Sequence, residues 1–164
     1  MGEATSLLED GLVVEIVIRE ATLEDRMALW SWYHDPLRDS FNKKTRPAST
    51  FAQHRAWFAN VSKGPGSIIC VGLLDILRIG AVRFDRLTDD GEFEARLCLK
   101  PAYCGQTYAP KLLKAAATYL RREKSPVTKV SLSIQKINPA SRAVFLREGF
   151  VISADSASGF RVDT

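Results

Sequence analysis

The chain is short of the residues that build metal centres and disulfide frameworks. Its 164 residues include three cysteines and two histidines. Cys70, Cys98 and Cys104 are odd in number and unevenly spaced, two of them lie in stretches that read as strands, and neither His34 nor His54 has a Cys or His neighbour at ligand spacing. These absences exclude a zinc module and a stapled secreted scaffold, and predict reduced thiols, a cytoplasmic location and no metal. No apolar run is long enough to cross a bilayer, and Glu3, Glu9 and Asp10 stand where a signal peptide would carry basic residues, so neither membrane span nor leader is expected. Repeats and low-complexity tracts are also missing. A single domain over 1–164 is expected, with residues 1–12 as a flexible N-terminal extension. The charge excess is small: 23 Lys and Arg against 19 Asp and Glu give +4, which favours an anionic ligand. The basic residues are dispersed, and no helix-turn-helix, RNP-type or zinc pattern accompanies them, so nucleic acid is not an expected partner.

What the chain does have is a regular alternation of strand and helix signals. Val13 to Arg19 reads as a strand, and Thr22 with Asp25 three positions later reads as the start of a helix that ends near Pro36. A loop through Lys43, Lys44, Thr45, Arg46 and Pro47 follows. Thr50 then opens an amphipathic helix with Phe51, His54, Trp57, Phe58 and Val61 toward one side, stopped by Ser62-Lys63-Gly64-Pro65-Gly66. Ser67 to Gly72, Ile76 to Asp85 and Glu92 to Leu99 read as three strands joined by turns at Asp75 and at Asp89-Asp90-Gly91. Little chain remains after Phe150 for a last hairpin, although Phe160 to Val162 has strand character; a partner strand completing the sheet edge would make the protein a homodimer, and otherwise it is a monomer.

The most informative stretch joins a strand, a tight turn and a helix in immediate succession. Leu97-Cys98-Leu99 ends the strand, Pro101 breaks it, Gly105 opens the turn, and Ala109, Leu112, Leu113, Ala116, Ala117 and Leu120 repeat at helical spacing. A turn at a helix N-terminus presents outward N–H groups and the positive end of the macrodipole, which together suit a pyrophosphate. Further on, the strand Val130 to Ile134 leads into Asn138-Pro139-Ala140-Ser141-Arg142-Ala143-Val144-Phe145-Leu146-Arg147-Glu148-Gly149-Phe150. In it Asn138 is a good N-cap, Pro139 suits the first helical position and Gly149 suits the stop.

Taken together, these two constellations resemble the GNAT family of acyl-CoA N-acyltransferases from about Val14 to about Val162. The resemblance implies an α/β (α+β) GNAT fold, a mixed and mostly antiparallel sheet with helices on both faces, and acetyl-CoA as co-substrate. It implies cofactor contacts from the strand end at Leu97 and Leu99, from the turn Cys104, Gly105, Gln106, Thr107, Tyr108 and Ala109, and from Asn138, Ser141 and Phe145 beside the pantetheine arm. The family's turn is commonly Gln/Arg-x-x-Gly-x-Gly/Ala, whereas here Cys104 and Thr107 occupy the first and fourth positions. Glycine at the fourth lets the backbone approach phosphate closely, so a β-branched Thr107 is expected to crowd that approach or require a different dihedral. The resemblance places the general base, or the holder of its water, at Glu94; a solvated strand carboxylate paired with Arg96 or Arg83 is the competing reading. The family's usual acid is a Tyr seven residues after the Asn, and this chain has Phe145 there.

Three blocks in the first half, Trp32-Tyr33-His34-Asp35-Pro36-Leu37-Arg38, His54-Arg55-Ala56-Trp57-Phe58 and Ile79-Gly80-Ala81-Val82-Arg83-Phe84-Asp85, are similar to the acetyltransferases that modify nucleotide-linked amino sugars, as in pseudaminic acid biosynthesis. That likeness implies a small-molecule amine as acceptor, held by His34, Asp35, Arg38, His54 and Arg83. Arg forks and an aromatic or His face suit a nucleotide diphosphate. A protein N-terminus or ribosomal protein is the alternative acceptor, and a catalytically silent GNAT-like binding module the alternative outside enzymes. In the plainer reading of the same residues, Trp30, Trp32, Trp57 and Phe58 are helix-face core and Arg38, Lys43, Lys44 and Arg46 a solvated loop.

Overall fold

Period-two alternation in the middle of the chain becomes the centre of a mixed sheet. The computed structural model describes residues 5–9, 12–35, 50–104, 107–135, 139–156 and 159–163. The strands are β1 (Thr5–Glu9), β2 (Leu12–Glu20), β3 (Ser67–Leu74), β4 (Leu77–Arg86), β5 (Glu92–Leu99), β6 (Lys129–Gln135), β7 (Val151–Ser156) and β8 (Gly159–Asp163). The helices are α1 (Arg26–His34), α2 (Phe51–Lys63), α3 (Tyr108–Glu123) and α4 (Pro139–Arg147), with single 3-10 turns at Leu23–Asp25 and Pro101–Tyr103. The strands form one sheet in the order β1-β2-β3-β4-β5-β6-β8-β7, antiparallel except where β5 runs parallel to β6. The mixed sheet with helices on both faces is the arrangement expected. Arg38 and the loop of Lys43, Lys44, Thr45, Arg46 and Pro47 lie outside the described residues.

Two expectations about the chain ends are corrected. The segment 1–12, read as a flexible extension, contains β1, which pairs antiparallel with β2 from Thr5↔Ile16 to Glu9↔Leu12. That register leaves Asp10-Gly11 between the two strands, a pair favoured in two-residue hairpin connections. After Phe150, where little material for a hairpin was expected, β7 and β8 pair with each other, and β8 inserts between β6 and β7.

Each face of the sheet has its own core. Along β5, Phe93, Ala95, Leu97 and Leu99 join Ala109, Leu112, Leu113, Ala116, Ala117 and Leu120 of α3, together with Phe145 and Phe150, on one face. Cys98, Ala81 and Ile69 meet Leu29 and Trp32 of α1 and Phe58 and Val61 of α2 on the other. Burial of the α3 stripe is what makes this helix stable, since helix propensity alone is marginal at this length. Leu112 packs over Gly72 and Gly80, which face each other across β3 and β4. A Cβ on Gly80 would meet the Cys98 carbonyl oxygen at 2.7 Å and Leu112 Cδ2 at 2.8 Å, so the strand pair must be bare there.

The helix starts follow local chemistry. At α2, the Gln53 N–H donates to Thr50 Oγ1 and the Thr50 N–H donates to Gln53 Oε1, each at 3.2 Å, a reciprocal capping box. Ahead of α1, the Thr22 N–H donates to Asp25 Oδ2 at 2.7 Å. Asp25 is fully buried, and its carboxylate also accepts from Arg19 of β2 at 2.7 and 2.9 Å and from Arg78 of β4 at 2.7 Å. Burial pushes this carboxyl up, but the Arg19, Thr22 and Arg78 donors outweigh it and hold it far below the usual carboxylate range. One side chain thus pins the entry of α1 to two strands of the sheet.

Candidate active site

The strands β5 and β6 stay paired for only part of their length. Their parallel ladder runs from Glu92↔Lys129 to Ala95↔Leu132, while β5 continues to Leu99 and β6 to Gln135. Beyond Ala95 and Leu132 the two strands are no longer paired with each other, and the chain runs on from β5 toward α3 and from β6 toward α4. A crevice outside the carboxyl ends of parallel strands is where sheets of this kind take ligands.

The start of α3 follows the carboxyl end of β5 after the 3-10 turn Pro101–Tyr103. Thr107 is its N-cap residue with φ −83° and ψ 17°, and its side chain makes no cap hydrogen bond. This φ is negative and ordinary for a β-branched residue, so the different dihedral expected of Thr107 is not needed. The first turn carries no acidic residue. Pro110 sits within that turn, where its missing N–H breaks no helical hydrogen bond. An N-terminus of this kind, without acid or side-chain cap, fits an anion. Gly105 and Gln106 lie outside the described residues, as does Asn138, and Ser141 is placed by its backbone alone, in α4.

Several residues expected at the cofactor serve the core through their side chains. Leu97, Leu99, Tyr108 and Ala109 are buried on the α3 face, and the Tyr108 ring lies edge-on to Tyr103 at 5.1 Å. Backbone groups are what they can offer a ligand. Phe145 is 1% exposed and packs edge-on against Phe150 at 5.3 Å, a core position with no hydroxyl to give a proton. The partly buried Cys104 thiol lies 3.9 Å from the Leu99 carbonyl oxygen and 3.8 Å from that of Lys100.

The opposite face of the sheet carries the polar candidates. Register places Ser67, Asp85, Glu94, Ser131 and Asp163 in one row across β3, β4, β5, β6 and β8. Glu94 pairs with Ser131, one residue before the last β5–β6 pair, with its side chain 27% exposed and Arg96 Nη2 3.9 Å away. Asp85 accepts from the Ser67 hydroxyl at 2.6 Å and from Arg83 Nε at 2.9 Å, and Arg96 Nε lies within ion-pair range at 3.4 Å. The Arg83 guanidinium also lies over the Trp57 ring of α2, 5.5 Å from its centre.

Of the acceptor candidates on the helices, His54 is 2% exposed and donates from Nε2 to the Arg26 carbonyl at 3.0 Å, which fastens α2 to α1. Burial pushes its imidazole down, and outweighs the bond to the Arg26 carbonyl, which acts in the opposite direction. Trp30, Tyr33, Phe51 and Trp57 surround its ring at 5.4 to 6.2 Å between centres. His34 is exposed at the end of α1, with Nδ1 3.0 Å from the Trp30 carbonyl oxygen and its ring 3.7 Å from that of Trp30. Asp35 is the C-cap residue of α1. The structure thus brings Glu94 and Arg83 to one face, sets Asp85 and Arg96 beside them, and uses His54 in helix packing.

Comparison with known proteins agrees with this architecture. No curated protein sequence matches the chain. Among solved structures, the Campylobacter jejuni N-acetyltransferase PseH is 14% identical with TM-score 0.64, covering 91% of this chain and 96% of that one. It has also been solved in complex with acetyl coenzyme A. Spermidine N-acetyltransferase from Vibrio cholerae, in complex with CoA and spermine, is 14% identical with TM-score 0.74, covering 90% and 92%. A domain from Methanocaldococcus jannaschii is 18% identical with TM-score 0.68, covering 92% and 98%. The family model for the acetyltransferase (GNAT) domain matches residues 15–151. With that match over most of its length, the chain belongs to the GNAT acetyltransferases, which use acetyl-CoA.

Proposed function

We propose that this acetyltransferase moves an acetyl group from acetyl-CoA to the primary amine of a small molecule, with a nucleotide-linked amino sugar as the acceptor class. The observation that carries the reading is the position of Glu94, a carboxylate on the helix-α1/α2 face one residue before the last β5–β6 pair. Acetyl-CoA supplies the activated acetyl group as a thioester. The α3 start would hold its pyrophosphate, with Gly105 and Gln106 leading into the turn, and Asn138 and Ser141 would flank its pantetheine arm. Glu94, or a water it holds, takes the proton that the attacking amine must lose. Phe145 offers no acid, so the returning proton comes from elsewhere than this side chain. Trp57, Tyr33 and His34 supply an aromatic wall for the acceptor, and Arg83 a fork beside it. The buried Cys70 thiol, pushed up to about 12 by its surroundings, and the buried Cys98 suit a reducing compartment, so we place the enzyme in the cytoplasm.

The test is acetyl-CoA-dependent turnover on amino-sugar nucleotides, polyamines and peptides with free N-termini. Preference for the amino-sugar nucleotides supports the reading. Preference for peptides would make the protein-acetylating alternative correct, and binding of acetyl-CoA with no turnover on any amine would make the chain a silent member of the family.

A further inference from the structure

Arg83 and Arg96 are direct partners across the β4–β5 ladder, so two guanidinium-bearing side chains leave the same face of the sheet at adjacent points. Like charges directly opposite each other destabilise a sheet, and a purely structural position would not need both. Asp85, one row along, faces the Nε of each, at 2.9 and 3.4 Å, and is itself fixed by the Ser67 hydroxyl at 2.6 Å. Arg96 Nη2 lies 3.9 Å from Glu94, so the pair of guanidiniums also adjoins the proposed base. The Arg83 fork is further held over the Trp57 ring. All three charged side chains are mostly sheltered, with 19%, 33% and 18% exposure for Arg83, Arg96 and Asp85, so charge-assisted hydrogen bonds made here are stronger than at an open surface.

We propose that Arg83 and Arg96 form one recognition element for an anionic group on the acceptor, a phosphate or a carboxylate near the reacting amine, and that Asp85 positions both forks for it. This deepens the proposed function and rests on its placement of the acceptor on this face. The charge count gives the reason. Two guanidiniums and the carboxylates of Asp85 and Glu94 sum to zero, and when Glu94 takes the proton of the amine the sum becomes +1, which an acceptor anion offsets. A polyamine brings further positive charge to the same place and is disfavoured.

The experiment compares matched amines: glucosamine 6-phosphate with glucosamine for phosphate, and β-alanine with propylamine for carboxylate, with spermidine alongside. The expected result is kcat/KM at least tenfold higher for one anionic member than for its neutral twin, and a ratio that collapses toward one in both Arg83→Gln and Arg96→Gln, with the acetyl-CoA KM unmoved. Arg96→Lys restores part of the ratio. Thermal melts of each variant establish that it is folded. Calorimetric binding of the same pairs, without acetyl-CoA, separates the two claims. Arginine-dependent binding of the anionic amine by a chain that turns nothing over keeps this inference and sinks the activity. Turnover with equal preference for neutral and anionic amines, or an anion preference that survives both glutamine variants, overturns the inference and leaves the activity standing.

Discussion

Two carboxylates contrast at the scale of single side chains: Asp25, which holds the fold, and Glu94, proposed to face the chemistry. Asp25 is buried with three sets of donors, and its replacement takes the carboxylate away from the Arg19 and Arg78 guanidiniums. Asp25→Asn is expected to cost about 3 kcal/mol at neutral pH, the low end for breaking a buried pair because Arg19 and Arg78 are partly in solvent. Urea unfolding measures it. The carboxyl is lowered on folding, so its contribution is complete above the unfolded value of about 4 and is lost as pH falls below that toward the folded value. The wild type should therefore lose stability on acidification more steeply than Asp25→Asn, and parallel curves would show that the triad does not titrate with folding. If Glu94 is the base as proposed, Glu94→Gln should lower turnover about 10²-fold or more near neutral pH, with partial recovery at high pH where the amine deprotonates unaided. Acetyl-CoA affinity should not change. Unaltered turnover would move the base to another group or to bulk water.

At the scale of elements, the seat of α3 on the sheet is the contact most open to a single-atom test. Gly80→Ala puts a methyl group against the Cys98 carbonyl and Leu112, both in buried surroundings, and is expected to cost about 1 to 3 kcal/mol by overpacking. Leu112→Ala in the glycine background should cost about 2 to 5 kcal/mol through the cavity it leaves. If the two are combined, the costs should fall short of their sum, because the smaller side chain relieves the clash. Elements such as α2 are legible in the sequence because their signals are local: Thr50 and Gln53 cap each other, and Ser62 to Gly66 stop the helix. Strand β1 escapes a sequence reading even though Asp10-Gly11 between two apolar runs marks a hairpin, because the acidic residues around it resemble a solvated tail. The β7–β8 hairpin is underestimated for a related reason, since β8 is stabilised by insertion beside β6, a contact that sequence spacing does not show. The site is legible only in part on the same grounds. The candidates Glu94 and Arg83 come from likeness to a family motif, whereas the neighbourhood of Asp85 and Arg96 to them follows from strand register, and the end of β5–β6 pairing has no sequence signature of its own.

Across the whole molecule, the two faces of the sheet do different work. The α3 face closes over an apolar core, while the opposite face carries a polar row that crosses β3, β4, β5, β6 and β8. If the donor binds at the start of α3 as proposed, its binding should stabilise the entire fold by mass action. At a concentration one hundred times its Kd, acetyl-CoA should add about 2.7 kcal/mol. For a domain of this size that corresponds to a rise in Tm of about 5 to 11 °C. The family glycine at the fourth turn position supplies a second arm to the measurement. Thr107 has an ordinary negative φ, so Thr107→Gly gains no conformational relief in the folded state and instead loosens the unfolded chain, which should lower the ligand-free Tm slightly. The acetyl-CoA-induced shift, measured from each protein's own baseline, should then be the same in Thr107→Gly as in the wild type. A shift that appears only in Thr107→Gly would mean that the threonine side chain blocks the phosphates. Such a chain would carry the acetyltransferase fold with a closed donor site, and restoring that one glycine would reopen it.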